Sequence, residues 1–114
     1  MINSLINDIK DDMVYAIKDL IKEDLNKIIL FGSYARGDNN SDSDIDVAVM
    51  MNSDRDRISE YSRGLVSIST DIDLNHMVVV NFICLPEREF EARKSIYPFY
   101  NNIDREGVVL YGNR

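Results

Sequence analysis

Two pairs of residues in one stretch of this sequence have the types and spacing needed for chemistry on phosphates. Gly32 and Ser33 open the stretch, and Asp44 and Asp46 close it after ten intervening residues, 34–43. Glycine lets the backbone approach a ligand closely, and a serine that caps a short helix presents its hydroxyl and nearby N–H groups to a phosphate. Two carboxylates one residue apart on a strand project from the same face, where protonation or cations such as Mg²⁺ relieve their repulsion.

The stretch therefore has the outline of a nucleotide and metal site, although other interpretations exist. Residues 32–37 match the first half of a P-loop, but Asp38 and Asn39 stand where that motif requires Lys and then Ser or Thr. An isolated Asp-x-Asp is more often a solvated turn. Apolar runs at 28–31 and 47–51 flank the stretch, so we expect a loop between two strands.

The spacing of the motif decides between these interpretations. A Gly-Ser pair, ten residues and then Asp-x-Asp resembles the signature of the DNA polymerase β-like nucleotidyltransferase superfamily. Residues 29–37, Ile-Leu-Phe-Gly-Ser-Tyr-Ala-Arg-Gly, and the short chain are similar to its minimal nucleotidyltransferase (MNT) branch. The resemblance implies an α+β fold, with a small mixed β-sheet packed against helices as in the polymerase β palm. It also implies transfer of AMP from ATP to a hydroxyl, with release of pyrophosphate.

The resemblance also implies roles for individual residues. By motif position, Asp44 and Asp46 are catalytic and hold two Mg²⁺ ions, and Gly32 and Ser33 bind the triphosphate of ATP. Arg36 lies in the same loop and is a candidate nucleotide-binding residue, with surface packing as the alternative.

Family members usually add a third carboxylate on a later strand, where it shares a metal ion and helps to deprotonate the acceptor. We predict a strand over 72–84, which is rich in Val, Ile and Phe. Asp73 at its start is the candidate third metal ligand and catalytic residue, with strand capping as the alternative. If the register instead places Asn81 opposite the pair, the site lacks its base, and activity would be slow, altered or absent.

Hydrophobic periodicity predicts the elements that position these residues. We expect a single MNT domain over 1–114 with no linker. The predicted helices are 3–25, 54–69, a short one starting at Pro86, and 96–105, and the predicted strands are 27–31, 45–51, 72–84 and 108–111, the last as a strand or an extended tail. The aromatic segment 97–100 is either a lid over the core or a protein-interface patch.

Composition narrows the class of protein. The formal net charge is −7, which argues against direct nucleic-acid binding, because phosphate neutralisation needs a basic face. The only cysteine, Cys84, lies in an apolar run, which suggests a buried thiol in a reducing compartment. The sequence shows neither a targeting segment nor a membrane-spanning run, so we expect a cytoplasmic protein.

Three functions remain open at this stage. By resemblance, we favour an antitoxin that attaches AMP to a tyrosine of a partner HEPN-domain toxin. A chain of 114 residues leaves little room for a separate acceptor-binding domain, which favours an acceptor supplied as a folded protein. The alternatives are a nucleotidyltransferase that modifies a small molecule, and a non-catalytic binding antitoxin that masks its partner.

Overall fold

The computed structural model describes residues 3–113 and shows a mixed four-stranded sheet with helices on both faces. The strand order is β3-β2-β1-β4; β1 is antiparallel to β2 and β4, and β2 is parallel to β3. This arrangement confirms the predicted α+β fold class. Within the described residues the strands are β1 (Leu25–Phe31), β2 (Ile45–Met51), β3 (Val80–Pro86) and β4 (Val108–Tyr111), and the helices are α1 (Ser4–Ile21), α2 (Ser33–Arg36), α3 (Arg55–Ser59), α4 (Ser62–His76), α5 (Glu87–Arg93) and α6 (Pro98–Glu106).

The predicted N-terminal helix is present as α1 but ends before residue 25. Asn3 caps it, because its Oδ1 accepts a hydrogen bond of 2.7 Å from the Leu5 N–H. One face of the helix is buried, at Ile6, Ile9, Met13, Ile17 and Ile21. Lys22 takes a positive φ of 58°, and a 3₁₀ turn over Lys22–Asp24 then leads into β1.

The predicted helix over 54–69 forms two helices, α3 and α4. The Asp54 side chain caps α3 by accepting a 3.0 Å hydrogen bond from the Arg57 N–H. α4 packs closely against α1 at Gly64, where an added Cβ would lie 2.6 Å from Leu20 Cδ1. Gly64 therefore serves helix packing, although glycine lowers helix propensity.

The predicted strand over 72–84 is wrong in its first part. α4 continues to His76, because Ile68 and Ile72 extend its apolar stripe toward the α1 side of the core. β3 begins only at Val80. Richness in β-branched residues was misleading here, since burial on a helix face outweighed strand propensity.

The C-terminal elements agree with the predictions. Pro86 ends β3 and precedes the short helix α5. Pro98 is the first residue of α6, and Gly107 ends that helix, as its position in the sequence indicated. Residues 108–111 form an edge strand that pairs with β1.

The two faces of the sheet carry separate cores. α1 and α4 cover one face, where the strand residues are Ile28, Leu30, Ile45, Val47, Val49, Met51, Val80 and Leu110. α5 and α6 cover the other face, where Ile29, Ala48, Met50, Leu85, Phe90, Tyr100 and Ile103 are buried together. This second face stays accessible at the end where β2 begins, since Asp44 and Asn81 are exposed there.

The thiol of Cys84 on β3 provides a simple test of this packing. Cys84 is half-buried and not fully buried as expected from the sequence. Burial raises its pKa from 9.0 to about 11, because the low-dielectric surroundings disfavour the thiolate. We expect alkylation at pH 8 to be about 100-fold slower in the folded protein than in urea, in proportion to the thiolate fraction. Thiol quantification against time measures this ratio, and equal rates would contradict an effect of this partial burial.

Candidate active site

One row of side chains crosses three strands at the open end of the second face. Phe31 on β1 pairs with Asp46 on β2, and Asp46 pairs with Asn81 on β3. Directly opposed side chains lie on the same face, with Cβ atoms about 5 Å apart. Asp44 lies two residues before Asp46, and its carboxylate reaches the same amide. The sheet thus brings an aromatic ring, two carboxylates and an amide together.

Asn81 joins the two carboxylates. Its Nδ2 donates hydrogen bonds to Asp44 Oδ2 at 3.2 Å and to Asp46 Oδ1 at 3.4 Å. Asp46 is half-buried, whereas Asp44 and Asn81 are exposed. The two carboxylates therefore lie close together in a position that a ligand can reach.

The loop before Asp44 has its own supporting contacts. The Asn40 side chain accepts a hydrogen bond of 2.8 Å from the Asp42 N–H, and the Asn40 N–H donates to Ser43 Oγ at 2.9 Å. These are turn contacts typical of Asn and Ser, and they shape the loop immediately before β2.

Gly32 and Ser33 lie beside the carboxylates, where β1 passes into α2. Gly32 has a positive φ of 76°, and its carbonyl accepts hydrogen bonds from the N–H groups of Ala35 and Arg36. A Cβ at Gly32 would lie only 2.6 Å from Asp46 Oδ2. Glycine is thus required both for the turn and for the close approach of backbone and carboxylate. The structure brings together three predicted site residues, Gly32, Asp44 and Asp46, and Ser33 follows as the first residue of α2, whose N-cap is Gly32.

A pair of alanine substitutions separates these two requirements. Gly32→Ala and Gly37→Ala both place a side chain at positive φ, but an added Cβ at Gly37 meets nothing within 4 Å. Both variants should lose about 1 kcal/mol of stability from the backbone strain. Only Gly32→Ala should lose more stability than this, because its methyl group displaces the Asp46 carboxylate. Urea unfolding measures both losses, and equal losses by the two variants would contradict the prediction.

Asp73 lies apart from the carboxylate pair. It lies in α4, not on a strand, and its Oδ1 accepts a 2.8 Å hydrogen bond from the Val80 N–H at the start of β3. Its carbonyl accepts from the N–H groups of Met77 and Val78 as the helix ends. These contacts fit the alternative in which Asp73 caps the strand. The residue of β3 that lies opposite Asp46 is Asn81.

Arg36 makes ion pairs away from the carboxylates. Its guanidinium contacts Asp38 at 3.1 Å and Glu106 at 3.3 Å, so it joins the loop after α2 to the end of α6. The hydrogen bonds that the guanidinium donates to Asp38 and Glu106 raise the pKa of Arg36 above its ordinary value. A nucleotide-binding role for Arg36 would require its guanidinium to leave Glu106 or Asp38, and it stays a prediction.

The donor set of the row suits Mg²⁺. This ion takes one or two protein carboxylates and completes its shell with water and substrate phosphates. Asp44 and Asp46 supply the carboxylates, and the Asn81 side chain has an amide oxygen as well as the NH₂ group now facing them. Within residues 3–113, no group of three or more His, Cys, Asp or Glu side chains is placed to hold a metal ion. The structure therefore does not group Asp73 with Asp44 and Asp46, and its assignment as a third metal ligand stays a prediction.

Comparison with known proteins agrees with this geometry. The sequence profile of the nucleotidyltransferase domain matches residues 12–107. The chain is 37% identical over 100 residues to a Methanocaldococcus jannaschii protein whose name proposes protein adenylyltransferase activity; the match covers 88% of this chain and 92% of the relative. A second such relative from that organism is 31% identical over 111 residues, covering 97% of this chain and 75% of the relative.

Solved structures show the same fold. A chain of the MntA–HpeT toxin–antitoxin complex superposes with a TM-score of 0.63 at 20% identity, covering 92% of this chain and 74% of that one. A complex of an AMPylated Shewanella oneidensis HEPN toxin with its MNT antitoxin gives a TM-score of 0.55 at 20% identity, covering 91% and 70%. The chain belongs to the nucleotidyltransferase domain family, as the motif predicted. The prediction of a nucleotidyltransferase enzyme is confirmed with it.

Sequence reasoning missed one member of the row, Phe31. Its ring could have been assigned to the carboxylate face only from the antiparallel register of β1 and β2, which short apolar strands do not reveal. Asn81 is the alternative to Asp73 that the sequence offers, and the parallel register of β2 and β3 does place Asn81 opposite Asp46.

No helix in the described part of the chain is long and apolar enough to cross a membrane.

Proposed function

We propose that this chain is a Mg²⁺-dependent adenylyltransferase that moves AMP from ATP to a hydroxyl group. The observation that carries the proposal is that the Gly32 turn lies directly against Asp46, whose carboxylate is paired with that of Asp44 through Asn81. Mg²⁺ held by Asp44 and Asp46 would neutralise phosphate charge and polarise the bond that breaks.

The chain's own residues have separate tasks in this reaction. The acceptor oxygen bonds to the α-phosphorus of ATP, the bond from that phosphorus to the bridging oxygen breaks, and pyrophosphate leaves. Gly32 and Ser33 bind the triphosphate and orient it for this displacement. The proton of the acceptor passes to solvent, because the Asn81 amide cannot accept it. We therefore expect slow turnover compared with an enzyme that has a third carboxylate.

The proposed acceptor is a tyrosine of a HEPN-domain toxin. Support comes from the names of the protein adenylyltransferase relatives and from the AMPylated HEPN toxin found with an MNT antitoxin of the same fold. The accessible face around Asp44 and Asn81 is compatible with a folded acceptor, since both side chains are exposed. In this role the chain would silence the toxin by covalent modification.

One observation favours a second function, a binding antitoxin that masks its partner without chemistry. Asn81 stands where a catalytic base would be needed, and its amide NH₂ group donates hydrogen bonds to both carboxylates. In that case the toxin would be held in a stable complex, and neither nucleotide nor carboxylates would affect its inhibition.

Intact mass spectrometry distinguishes the two functions. The protein is incubated with Mg²⁺, ATP and a HEPN-domain toxin, and every species is weighed. Addition of AMP to the toxin, lost in the Asp44→Ala plus Asp46→Ala variant, supports the transferase. A tight complex without any mass change, formed equally well by that variant, overturns it in favour of masking. Modification of aminoglycosides but not of the toxin would instead indicate a small-molecule acceptor.

A further inference from the structure

A partly exposed aromatic pair lies next to the carboxylates. Phe99 in the first turn of α6 contacts Phe31 edge to face, with ring centroids 5.7 Å apart and an interplanar angle of 83°. Tyr100, which is buried, lies behind Phe99 with a centroid separation of 6.3 Å. Phe99 itself remains 50% exposed. Its ring is thus supported by two aromatic neighbours and open to solvent.

Core packing explains the neighbours of Phe99 but not its exposure. Tyr100 and Ile103 of α6 are buried against the sheet, whereas Phe99 projects beyond this core toward the row formed by Phe31, Asp46 and Asn81. Two other exposed apolar residues, Val66 and Leu74, lie on α4, which packs against the opposite face, whereas Ile96 and Tyr97 are exposed immediately before α6. Phe99 therefore offers an apolar surface on the same face as the carboxylates.

A nucleotide bound at this site needs a place for its base. Its triphosphate lies against Gly32 and the carboxylates, and Phe31 immediately precedes Gly32 while pairing with Asp46. A base extending from the phosphates toward β1 and α6 meets the aromatic pair. Planar bases stack on aromatic side chains, and removal of one such platform weakens binding about 10-fold or more.

We propose that Phe99, supported by Phe31 and Tyr100, is the stacking platform for the purine base of the nucleoside triphosphate. This inference rests on the proposed adenylyltransferase function and adds the base-binding residue to it. Phe99 binds the base and takes no part in bond making, so it sets nucleotide affinity and not the chemistry at the α-phosphorus.

Fluorescence tests the position of the base directly. The sequence contains no tryptophan, so Phe99→Trp introduces the only indole of the chain. MgATP should quench its fluorescence to saturation, whereas magnesium tripolyphosphate, which lacks a base, should not. Ile96→Trp, in the turn before α6 and at a position that is 71% exposed, is the matched control and should not respond to either ligand. An equal response of both variants to ATP, or no response by Phe99→Trp, overturns the proposal.

Affinity measurements separate this inference from the function on which it rests. Calorimetry should show that Phe99→Ala weakens MgATP binding about 10-fold and leaves tripolyphosphate binding unchanged, while Phe99→Tyr keeps both affinities. Equal loss for ATP and tripolyphosphate would indicate a structural role and overturn the platform. Unchanged ATP affinity would also overturn it, with the adenylyltransferase function intact. Failure of the wild-type protein to bind MgATP would overturn the proposed function itself.

Discussion

Asp46→Asn is expected to reduce the proposed AMP transfer about 1,000-fold while leaving the fold intact. Asp46 is the centre of the site, with its Oδ2 against the Gly32 backbone and its Oδ1 bonded to Asn81. Removing its charge removes half of the paired carboxylate charge available to Mg²⁺, whose stabilisation of phosphate charge amounts to several kcal/mol. Asparagine has the same shape and still offers an oxygen to Asn81, so the metal-free protein should unfold at nearly the same urea concentration.

Initial rates of AMP incorporation and thermal melting with and without MgATP measure the two parts of this prediction. The matched control is Asp42→Asn, which removes the same charge from an exposed position in the same loop. The control should keep both the rate and the MgATP-induced rise in melting temperature, and Asp46→Asn should lose both. Transfer at the wild-type rate by Asp46→Asn would exclude this carboxylate from the reaction.

Asn81→Asp is expected to accelerate AMP transfer about 100-fold at neutral pH. It places a third carboxylate in the row opposite Asp46, where it can accept the acceptor's proton, and a positioned general base contributes at least this much. The same change removes two hydrogen bonds and adds like-charge repulsion. The metal-free variant should therefore melt at a lower temperature than the wild type. Mg²⁺ alone should raise the melting temperature of the variant more than it raises that of the wild type.

Two further variants control this experiment. Asn81→Ala removes the hydrogen bonds without adding a charge, so it should lose stability without gaining activity or Mg²⁺ response. Asn75→Asp makes the same chemical change on the exposed surface of α4. It should alter neither the rate of AMP transfer nor the response of the melting temperature to Mg²⁺. If Asn81→Asp is no faster than the wild type and its response to Mg²⁺ is unchanged, the third position in the row has no part in catalysis.

The local chemistry of the site was predictable from sequence because it lies within one short stretch. The Gly-Ser pair, the ten-residue spacing and Asp44-x-Asp46 all belong to a single strand, turn, strand unit, whose geometry depends on neighbouring residues. The alternation of strand side chains then places both aspartates on one face without any knowledge of the tertiary fold. The strand predicted at Asp73 was wrong because α4 extends past this residue, and burial of Ile72 against the α1 side of the core decided where that helix ends.

The sequence by itself determined the family, the α+β class, the glycine turn and the paired aspartates, since each follows from local pattern and spacing. Only the tertiary structure decided what surrounds them. The strand register placed Asn81 on one side of Asp46 and Phe31 on the other. A slip of one residue would have turned these side chains to the opposite face of the sheet. The packing of α6 on the sheet then brought Phe99 to that row from a segment far along the chain, because long-range contacts depend on burial and not on sequence distance.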